Sequence, residues 1–339
     1  METDTPVDMK WINNISGLNI LSISFLQESD FNIELNLQNL HSLKSLDLFD
    51  FFVDAPIFNN IPDTIESFDF EMKASGGSSI KLPLHLQKLV IRSNEIPRIS
   101  NVKDLKNLMD VKIITGISGQ LPLAGDAEQI QVSIDRLPST ITNLDITEES
   151  RIKKQHLSLG NFPVLETLSI GSCSFDSSRL TSLRSLHVSA SSFTIGEHLP
   201  LPSTLRSFVI VFETQDPINF DFFIYSPSLS DTLESLVISF ASNSTKLPSK
   251  FWHDFILPLE SLLELTLQIP VLSSDLIVDE FPPCLASLNM TVNVSCVSYK
   301  LGGGLVSEKC GGKVVLHGFD KSLKYFYLDG CGKASIKQV

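Results

Sequence analysis

Residues 82–91 read LPLHLQKLVI, and variants of this phrase return along the whole chain. Each copy carries an aliphatic residue, two spacers, a second aliphatic, one spacer and a third aliphatic, often after Leu-Pro or Ile-Pro. Further copies are LPSTITNLDI (137–146), FPVLETLSI (162–170), LPSTLRSFVI (201–210), LSDTLESLVI (229–238) and FPPCLASLNM (281–290). The chain is therefore built from one repeated unit.

The first aliphatic residue of each phrase defines the register of the repeat. Most successive steps lie near the roughly 20–29 residues of a short strand-containing repeat. In Leu86-x-x-Leu89-x-Ile91, a strand would place the last two side chains on one face and Val90 and Arg92 on the other. We expect one strand per coil, and the coils to stack around a continuous core. The first aliphatic residues are Leu18, Leu43, Ile65, Leu86, Leu108, Ile141, Leu165, Leu183, Leu205, Leu233, Leu262, Leu285 and Leu323.

This pattern resembles the leucine-rich repeat superfamily, in its proline-initiated LPxxLxxLxI variety. Similar repeats occur in some secreted bacterial effectors and in fungal leucine-rich repeat proteins, including those that follow F-box modules. The resemblance implies an α/β-type repeat solenoid. This would be an irregular leucine-rich repeat horseshoe with a parallel concave β-sheet and a convex side of loops and short helices. Residues 1–17 are too few for the helices of an F-box.

Two features at the borders of the strands are typical of such coils. Proline stands three residues before the first aliphatic in several coils, where it predicts the bend that enters the strand. Asn94, Cys173, Asn293 and Cys331 follow the third aliphatic by three residues. At that position the resemblance implies a side chain that hydrogen-bonds the backbone as the chain leaves the strand. The prolines are Pro62, Pro83, Pro138, Pro202 and Pro282.

The repeat also predicts the organisation of the chain. Residues 1–17 form an N-terminal lead-in, residues 18–295 the leucine-rich repeat solenoid, and residues 296–339 a Gly-containing insertion and the last repeat. Inside the insertion, residues 314–316 read Val-Val-Leu and predict a strand. Residues 250–256 predict one or two helical turns on the convex side.

Composition and charge limit the possible partners and the compartment. A hydrophobic content of 42% excludes a wholly disordered chain, and a net charge of −13 disfavours nucleic acid. No run approaches the roughly 18 apolar residues of a membrane-spanning helix. The start METDTPVDMKW lacks the apolar stretch of a secretory signal. Five cysteines without a CxxC pair predict buried, reduced thiols. We therefore expect a cytoplasmic protein, with the nucleus as the alternative, and no nucleic acid or membrane as partner.

Motifs of catalysis and of cofactor binding are absent from the sequence. Neither Lys313 nor Lys333 belongs to a phosphate-binding GxxxxGK[ST] loop, because Val314 and Ala334 follow them. The seven histidines form no HExxH and no zinc-binding spacing with cysteine. No GxSxG is present. The sequence predicts no catalytic residue, no cofactor and no metal site.

The outward positions of the strands vary in charge and polarity, as expected for a binding face. They change from acidic to basic, then to apolar and finally to aromatic along the chain. We predict that they contact a protein partner on the concave face. The candidate residues are Asp47, Asp69, Lys88, Arg92, Lys112, Val209, Val211, Val237, Tyr325 and Tyr327.

The favoured hypothesis is a non-catalytic protein-interaction scaffold. One alternative, implied by the resemblance alone, is a substrate-recognition subunit of a ubiquitin ligase. Another is a degenerate family member with little binding activity, and a third is an enzyme, or the recognition half of an enzyme from which the catalytic module is missing. Neither the identity of the partner nor the oligomeric state follows from the repeat.

Overall fold

A computed structural model describes most of the repeated phrases. The part of the chain that it describes comprises residues 12, 15, 17–24, 36–49, 55–72, 79–93, 97–115, 134, 137–148, 155–171, 173–175, 179–190, 201–212, 226, 228–240, 247, 250–269, 276–278, 280–292, 314–316 and 323–329. The chain divides into two compact units, Met1–Ser169 and Ile170–Val339.

The first unit contains repeat strands that pair in parallel in the order of the chain. We call a strand a repeat strand when it begins two residues after the first aliphatic of a phrase. Those of this unit are β1 (Ile20–Ser24), β2 (Ser45–Phe49), β3 (Ser67–Met72), β5 (Lys88–Ser93), β7 (Asp110–Thr115), β8 (Asn143–Glu148) and, across the unit boundary, β10 (Thr167–Ile170). Three short strands lie outside the phrases: β4 (Ser79–Ile80), β6 (Arg98–Ile99) and β9 (Gln155–Leu157).

The second unit repeats the same arrangement. Its parallel repeat strands are β12 (Ser185–Ala190), β13 (Ser207–Phe212), β14 (Ser235–Phe240), β15 (Glu264–Ile269), β17 (Ser287–Val292) and β19 (Tyr325–Asp329). Its short strands are β11 (Cys173–Phe175), β16 (Leu276–Val278) and β18 (Val314–Leu316). Each of the first aliphatic residues from Leu18 to Leu323 is thus followed by one repeat strand, as the sequence pattern predicts.

Turns at the strand entrances use the proline carbonyl as an acceptor. The N–H of Ile65 donates to the carbonyl of Pro62 at 3.3 Å, and that of Leu205 to Pro202 at 3.1 Å. In the same turns a threonine reaches the preceding coil, because Thr204 Oγ1 donates to the carbonyl of Leu183 at 2.7 Å. Thr64 and Thr140 make the equivalent bond to Leu43 and Leu108. Proline therefore shapes the turn, and threonine joins neighbouring coils.

A second device, here called the carbonyl ladder, joins successive coils just before their strands. The N–H groups of Glu66 and Ser67 both donate to the carbonyl of Lys44, at 2.8 and 3.0 Å. The next coil repeats this, with Gln87 and Lys88 donating to Glu66 at 2.7 and 3.0 Å. One carbonyl accepts two donors because both of its lone pairs are available. The same double acceptance occurs at the carbonyls of Asn19, Gln87, Met109, Thr142, Arg184, Arg206, Glu234, Leu263 and Ala286.

The aliphatic positions of the phrases form the cores. The first aliphatics from Leu43 to Leu323 are buried, as are the second and fourth residues of each repeat strand from β2 to β17. Aromatic rings fill part of each core. Phe68 and Phe70 pack with ring centroids 4.8 Å apart in the first unit, and Phe212 stacks on Phe240 at 5.2 Å in the second. Burial of these rings supplies much of the hydrophobic stabilisation.

The returning side of the coils carries short helices and short strands. The helices of this side are Ala55–Asn60, Val102–Asp104 and Trp252–Ile256, while a fourth helix, Leu229–Thr232, forms the turn at the entrance of β14. Strand β4 pairs with β6 in the first unit, and β16 pairs with β18 in the second, both in parallel. The indole N–H of Trp252 donates to the carbonyl of Glu280 at 2.7 Å and anchors its helix to the following coil.

The predicted fold class is confirmed, because parallel strands at each phrase form a repeat solenoid of the leucine-rich repeat type. The helical turn within residues 250–256 and the strand at residues 314–316 are confirmed as well. The domain boundaries at 17/18 and 295/296 stay predictions. Asn94, Asn293 and Cys331 lie outside the described residues, so their predicted hydrogen bonds also stay predictions.

Two sequence-based expectations are wrong. Cys284 is exposed instead of buried, because it lies in the turn that follows Pro282, outside the strand. Val90 lies on the outer face of β5 but is only 6% exposed. Its neighbours on the flanking strands are Asp69 and Lys112, and the alkyl part of a lysine can cover an apolar residue beside it.

Candidate functional site

The exposed sheet face is formed by alternate residues of the repeat strands. In β13 these residues are Ser207, Val209 and Val211, while Phe208 and Ile210 are buried. The parallel register aligns them from strand to strand in a first, second and third row. Small serines occupy much of the first row, so the chemical character of the face depends mainly on the other two rows.

In the first unit this face is charged and internally paired. Arg92 Nε donates to Asp69 Oδ1 at 3.1 Å, and Arg92 Nη2 donates to Asp69 Oδ2 at 3.0 Å. The same guanidinium reaches across β3 and lies 5.3 Å from the ring centroid of Phe49. A bidentate ion pair combined with a cation–π contact holds Arg92 in one orientation.

Asp47 lies directly beside Asp69 on the neighbouring strand. Partial burial raises the pKa of Asp47 above its usual 3.8, and the charge of Asp69 raises it further. Lys88 and Arg92 act on the same pKa in the opposite direction but do not cancel the increase. Among the described residues the Asp47 carboxylate has no hydrogen-bond donor. No hydrogen bond within the described part of the face therefore compensates its charge.

A second ion pair lies further along the same unit. Lys112 Nζ is 2.7 Å from Asp145 Oδ2, on the directly adjacent strand. Thr147 Oγ1 also donates to Asp145, at 3.0 Å. These contacts compensate the charge of Lys112 within the sheet.

In the second unit the face is nearly uncharged. Val209 and Val237 are directly opposite each other on β13 and β14, and Val211 lies opposite Ser239. All three valines are partly exposed. His187 precedes them in the second row, while Thr266 follows. The valines therefore form a small apolar patch, here called the valine patch, made of Val209, Val211 and Val237.

Two tyrosines dominate the outer face of β19. Tyr325 is 72% exposed and Tyr327 is 58% exposed. Tyr327 continues the second row through Asn289, which lies opposite it. Strands β15 and β17 separate Tyr327 from Val237, which is about 14 Å at the usual spacing of strands. The tyrosines and the valine patch thus share a face without touching.

The structure therefore brings the candidate residues together in separate groups. Asp47, Asp69, Lys88 and Arg92 form one electrostatic cluster, while Lys112 pairs with a residue outside the predicted set. Sequence reasoning missed the parts of Phe49 and Asp145 in these contacts. The repeat pattern could have indicated both contacts, because Phe49 and Asp145 each stand at an outward strand position beside or near a basic residue.

Comparisons with known proteins add the following. The chain is similar to the crystal structure of CroV588, described as a novel circular LRR protein, with 12% sequence identity and a TM-score of 0.44. The similarity covers 92% of this chain and 53% of that chain, so this chain spans about half the length of CroV588. No protein-family model and no curated protein matches the sequence.

Two further searches concern metals and membranes. Within the described ranges, no three His, Cys, Asp or Glu side chains are grouped so that they could hold a metal ion. None of the helices in that part of the chain is long and apolar enough to cross a membrane.

Proposed function

We propose that the protein is a non-catalytic interaction scaffold that binds a protein partner through its exposed sheet face. The observation that carries this proposal is the valine patch. On β12 to β14 the three rows contain only Ser, His and Val, so apolar side chains are presented there without a competing charge. The proposal includes an intracellular location, cytoplasmic or nuclear, which rests on the cysteine usage alone.

The surroundings of the valine patch favour contact with an apolar side chain of a partner. Ser207 and Ser235 border it on one side, and Ser239 lies opposite Val211. Because these neighbours are small, a partner can reach the valine methyl groups and the sheet between them. Depletion of charge at the centre and a polar border are typical of protein interfaces.

Tyr327 supports the same proposal as a second anchor on the same face. An exposed tyrosine offers a large apolar ring together with a hydroxyl, and such residues often dominate the binding energy of an interface. A partner that contacts both Tyr327 and Val237 must extend over about 14 Å, the width of three strand spacings. An extended segment or a helix of a partner protein meets this requirement.

The charged face of the first unit would contribute specificity more than affinity. Most of its charges already pair within the sheet, as Arg92 does with Asp69 and Lys112 with Asp145. The Asp47 carboxylate has no hydrogen-bond donor among the described residues, so a basic group of a partner could bind there. Charged contacts of this kind mainly select and orient partners.

The narrower proposal, substrate recognition for a ubiquitin ligase, rests only on the resemblance to fungal proteins that carry such repeats behind an F-box. Recovery of a ligase subunit together with the protein would support it. Absence of every ligase subunit under gentle capture conditions would remove that support.

The experiment compares affinity capture by the wild-type protein with capture by the double variant Val209→Asp/Val237→Asp. The matched control is Val164→Asp, since Val164 is an exposed valine in a turn before β10. All three proteins are first checked by circular dichroism, because aspartate disfavours strands by up to about 1 kcal/mol. We expect the wild type and the control to capture the same partner. The amount of this partner captured by the double variant should be at least about tenfold lower. Equal capture by all three would refute the assignment of the valine patch.

A further inference from the structure

The carbonyl ladder is incomplete at both edges of the repeat. In the inner coils other than that of β12, the two residues at the strand entrance donate their N–H groups to one carbonyl of the preceding coil. At β1 the corresponding donors are the N–H groups of Asn19 and Ile20, and neither has an acceptor among the described residues. At β19 the corresponding acceptor is the carbonyl of Lys324, which has no donor there. Two donors therefore remain at one edge and their acceptor at the other.

The strand backbones show the same complementarity. In a parallel pair, the N–H and C=O of alternate residues point to opposite neighbours. Since Ser45 N–H donates to the carbonyl of Asn19, the N–H and C=O groups of Ser22 and Ser24 face away from β2. By the same alternation, those of Phe326 in β19 face away from β17. Within the described residues, both edges thus present a regular row of backbone groups, which is a template for another strand.

Side chains at the two edges depart from the pattern of the inner coils in a matching way. In the first row, β1 carries Ile20, which is 66% exposed, and β19 carries Tyr325, which is 72% exposed. All residues of this row between them are polar: Ser45, Ser67, Lys88, Asp110, Asn143, Thr167, Ser185, Ser207, Ser235, Glu264 and Ser287. Large apolar side chains thus occur in this row only on β1 and β19, the two strands that have a single neighbour in the described sheet.

We propose that β19 of one molecule pairs in parallel with β1 of a second copy of this chain, head to tail. The register that continues the repeat places Tyr325 opposite Ile20, and Tyr327 opposite Ser22. The Lys324 carbonyl then accepts from Asn19 and Ile20 of the second copy, as each inner ladder carbonyl does. Ile20 and Tyr325 cover each other in the first row. This association uses surfaces other than the valine patch and does not depend on the proposed function.

The size and charge of the contact determine its expected strength. One strand pair buries much less than the roughly 800 Å2 per partner of a standard interface, so the association is expected to be weak. Each copy carries a net charge of −13, which opposes self-association through repulsion. Salt screens this repulsion, and the association is therefore expected to strengthen as ionic strength rises.

The test is analytical ultracentrifugation of the full chain at concentrations up to about 100 μM, where weak complexes become populated, at low and at high salt. The wild type should exceed the monomer mass, and more so at high salt. Ile20→Asp and Tyr325→Asp should each remain monomeric. Both residues are exposed, so folding should persist, which circular dichroism verifies. Ser22→Pro is a third variant, because it removes a donor only from the open edge of β1.

Mixing the two aspartate variants distinguishes a head-to-tail contact from a symmetric one. The Ile20→Asp protein keeps an intact β19 edge, and the Tyr325→Asp protein keeps an intact β1 edge. Their mixture should form a complex of twice the monomer mass and nothing larger. The double variant Val209→Asp/Val237→Asp should associate like the wild type, which separates this proposal from the proposed function. A monomeric wild type at both salt concentrations, association unchanged in the variants, or a mixture that stays monomeric would overturn the proposal.

Discussion

Replacing Asn101 with alanine is expected to destabilise the first unit more than any other polar substitution on its returning side. The side chain is buried, with 8% of its surface exposed. Its Oδ1 accepts from the N–H of Leu82 at 2.9 Å, and its Nδ2 donates to the carbonyl of Leu82 at 2.7 Å. One amide thus satisfies both backbone groups of a residue in the preceding coil.

The magnitude follows from these two bonds. Each hydrogen bond contributes about 1 kcal/mol, and each buried backbone group left without a partner costs about 1–3 kcal/mol. Because water can enter the space left by the side chain and compensate part of that cost, we expect a total loss of about 2–4 kcal/mol. The control is Ser100→Ala, which removes a single bond from Ser100 Oγ to the carbonyl of Ile80 at 2.9 Å. Its expected cost is about 0.5–1.5 kcal/mol.

Hydrogen exchange of the Leu82 amide measures this effect locally, which matters because repeat proteins often unfold in parts. A loss of about 2–4 kcal/mol corresponds to exchange that is about 30-fold to nearly 1,000-fold faster. Urea denaturation provides the global value. If Asn101→Ala costs no more than Ser100→Ala in both measurements, the assignment of this amide as the connection between the coils is wrong.

Three further predictions concern charge and coil stacking. Asp47→Asn should raise the free energy of unfolding near neutral pH, because the raised pKa of Asp47 means that its ionised form opposes folding. The gain in stability is expected to stay within about 1 kcal/mol, because Asp47 is partly exposed. It should decrease as the pH falls through the raised pKa of Asp47 and vanish below pH 3.8. Denaturation at several pH values tests this expectation. Arg92→Ala should cost about 1–2 kcal/mol through loss of the ion pair to Asp69 and the contact with Phe49, and NMR titration should show a higher pKa for Asp47. An unchanged Asp47 pKa would contradict that arrangement. Thr204→Val should cost about 1 kcal/mol in denaturation by removing its bond to the preceding coil, whereas a neutral result would show that this bond is dispensable.

The repeat strands could be predicted from sequence because their determinants are local. The spacing of Leu86, Leu89 and Ile91 specifies which side chains share a face, and proline three residues earlier marks the turn. Each strand then begins two residues after the first aliphatic, from Ile20 to Tyr325. Local spacing is sufficient because each coil packs mainly against its nearest neighbours and does so in the same way.

Contacts between coils could not be predicted in the same way. Asn101 bonds to Leu82 across 19 residues, and Asn101 lies outside the repeated phrases. The alternation of side chains along β5 predicts that Val90 points to the outer face. Its low exposure also depends on the neighbouring strands, which this alternation does not describe. The pairing of Lys112 with Asp145 depends on which coils are adjacent, since 33 positions separate the two residues and the intervening segment could have held another coil.

The most direct test of the proposed function is site-specific photocrosslinking in the cells that produce the protein. A photoreactive amino acid is placed at Val209 in one protein, at Val237 in a second and at the exposed Val164 in a third. We expect the same partner to be crosslinked from positions 209 and 237 and not from position 164. If a partner is crosslinked from position 164 and from neither position 209 nor position 237, binding through the valine patch is contradicted.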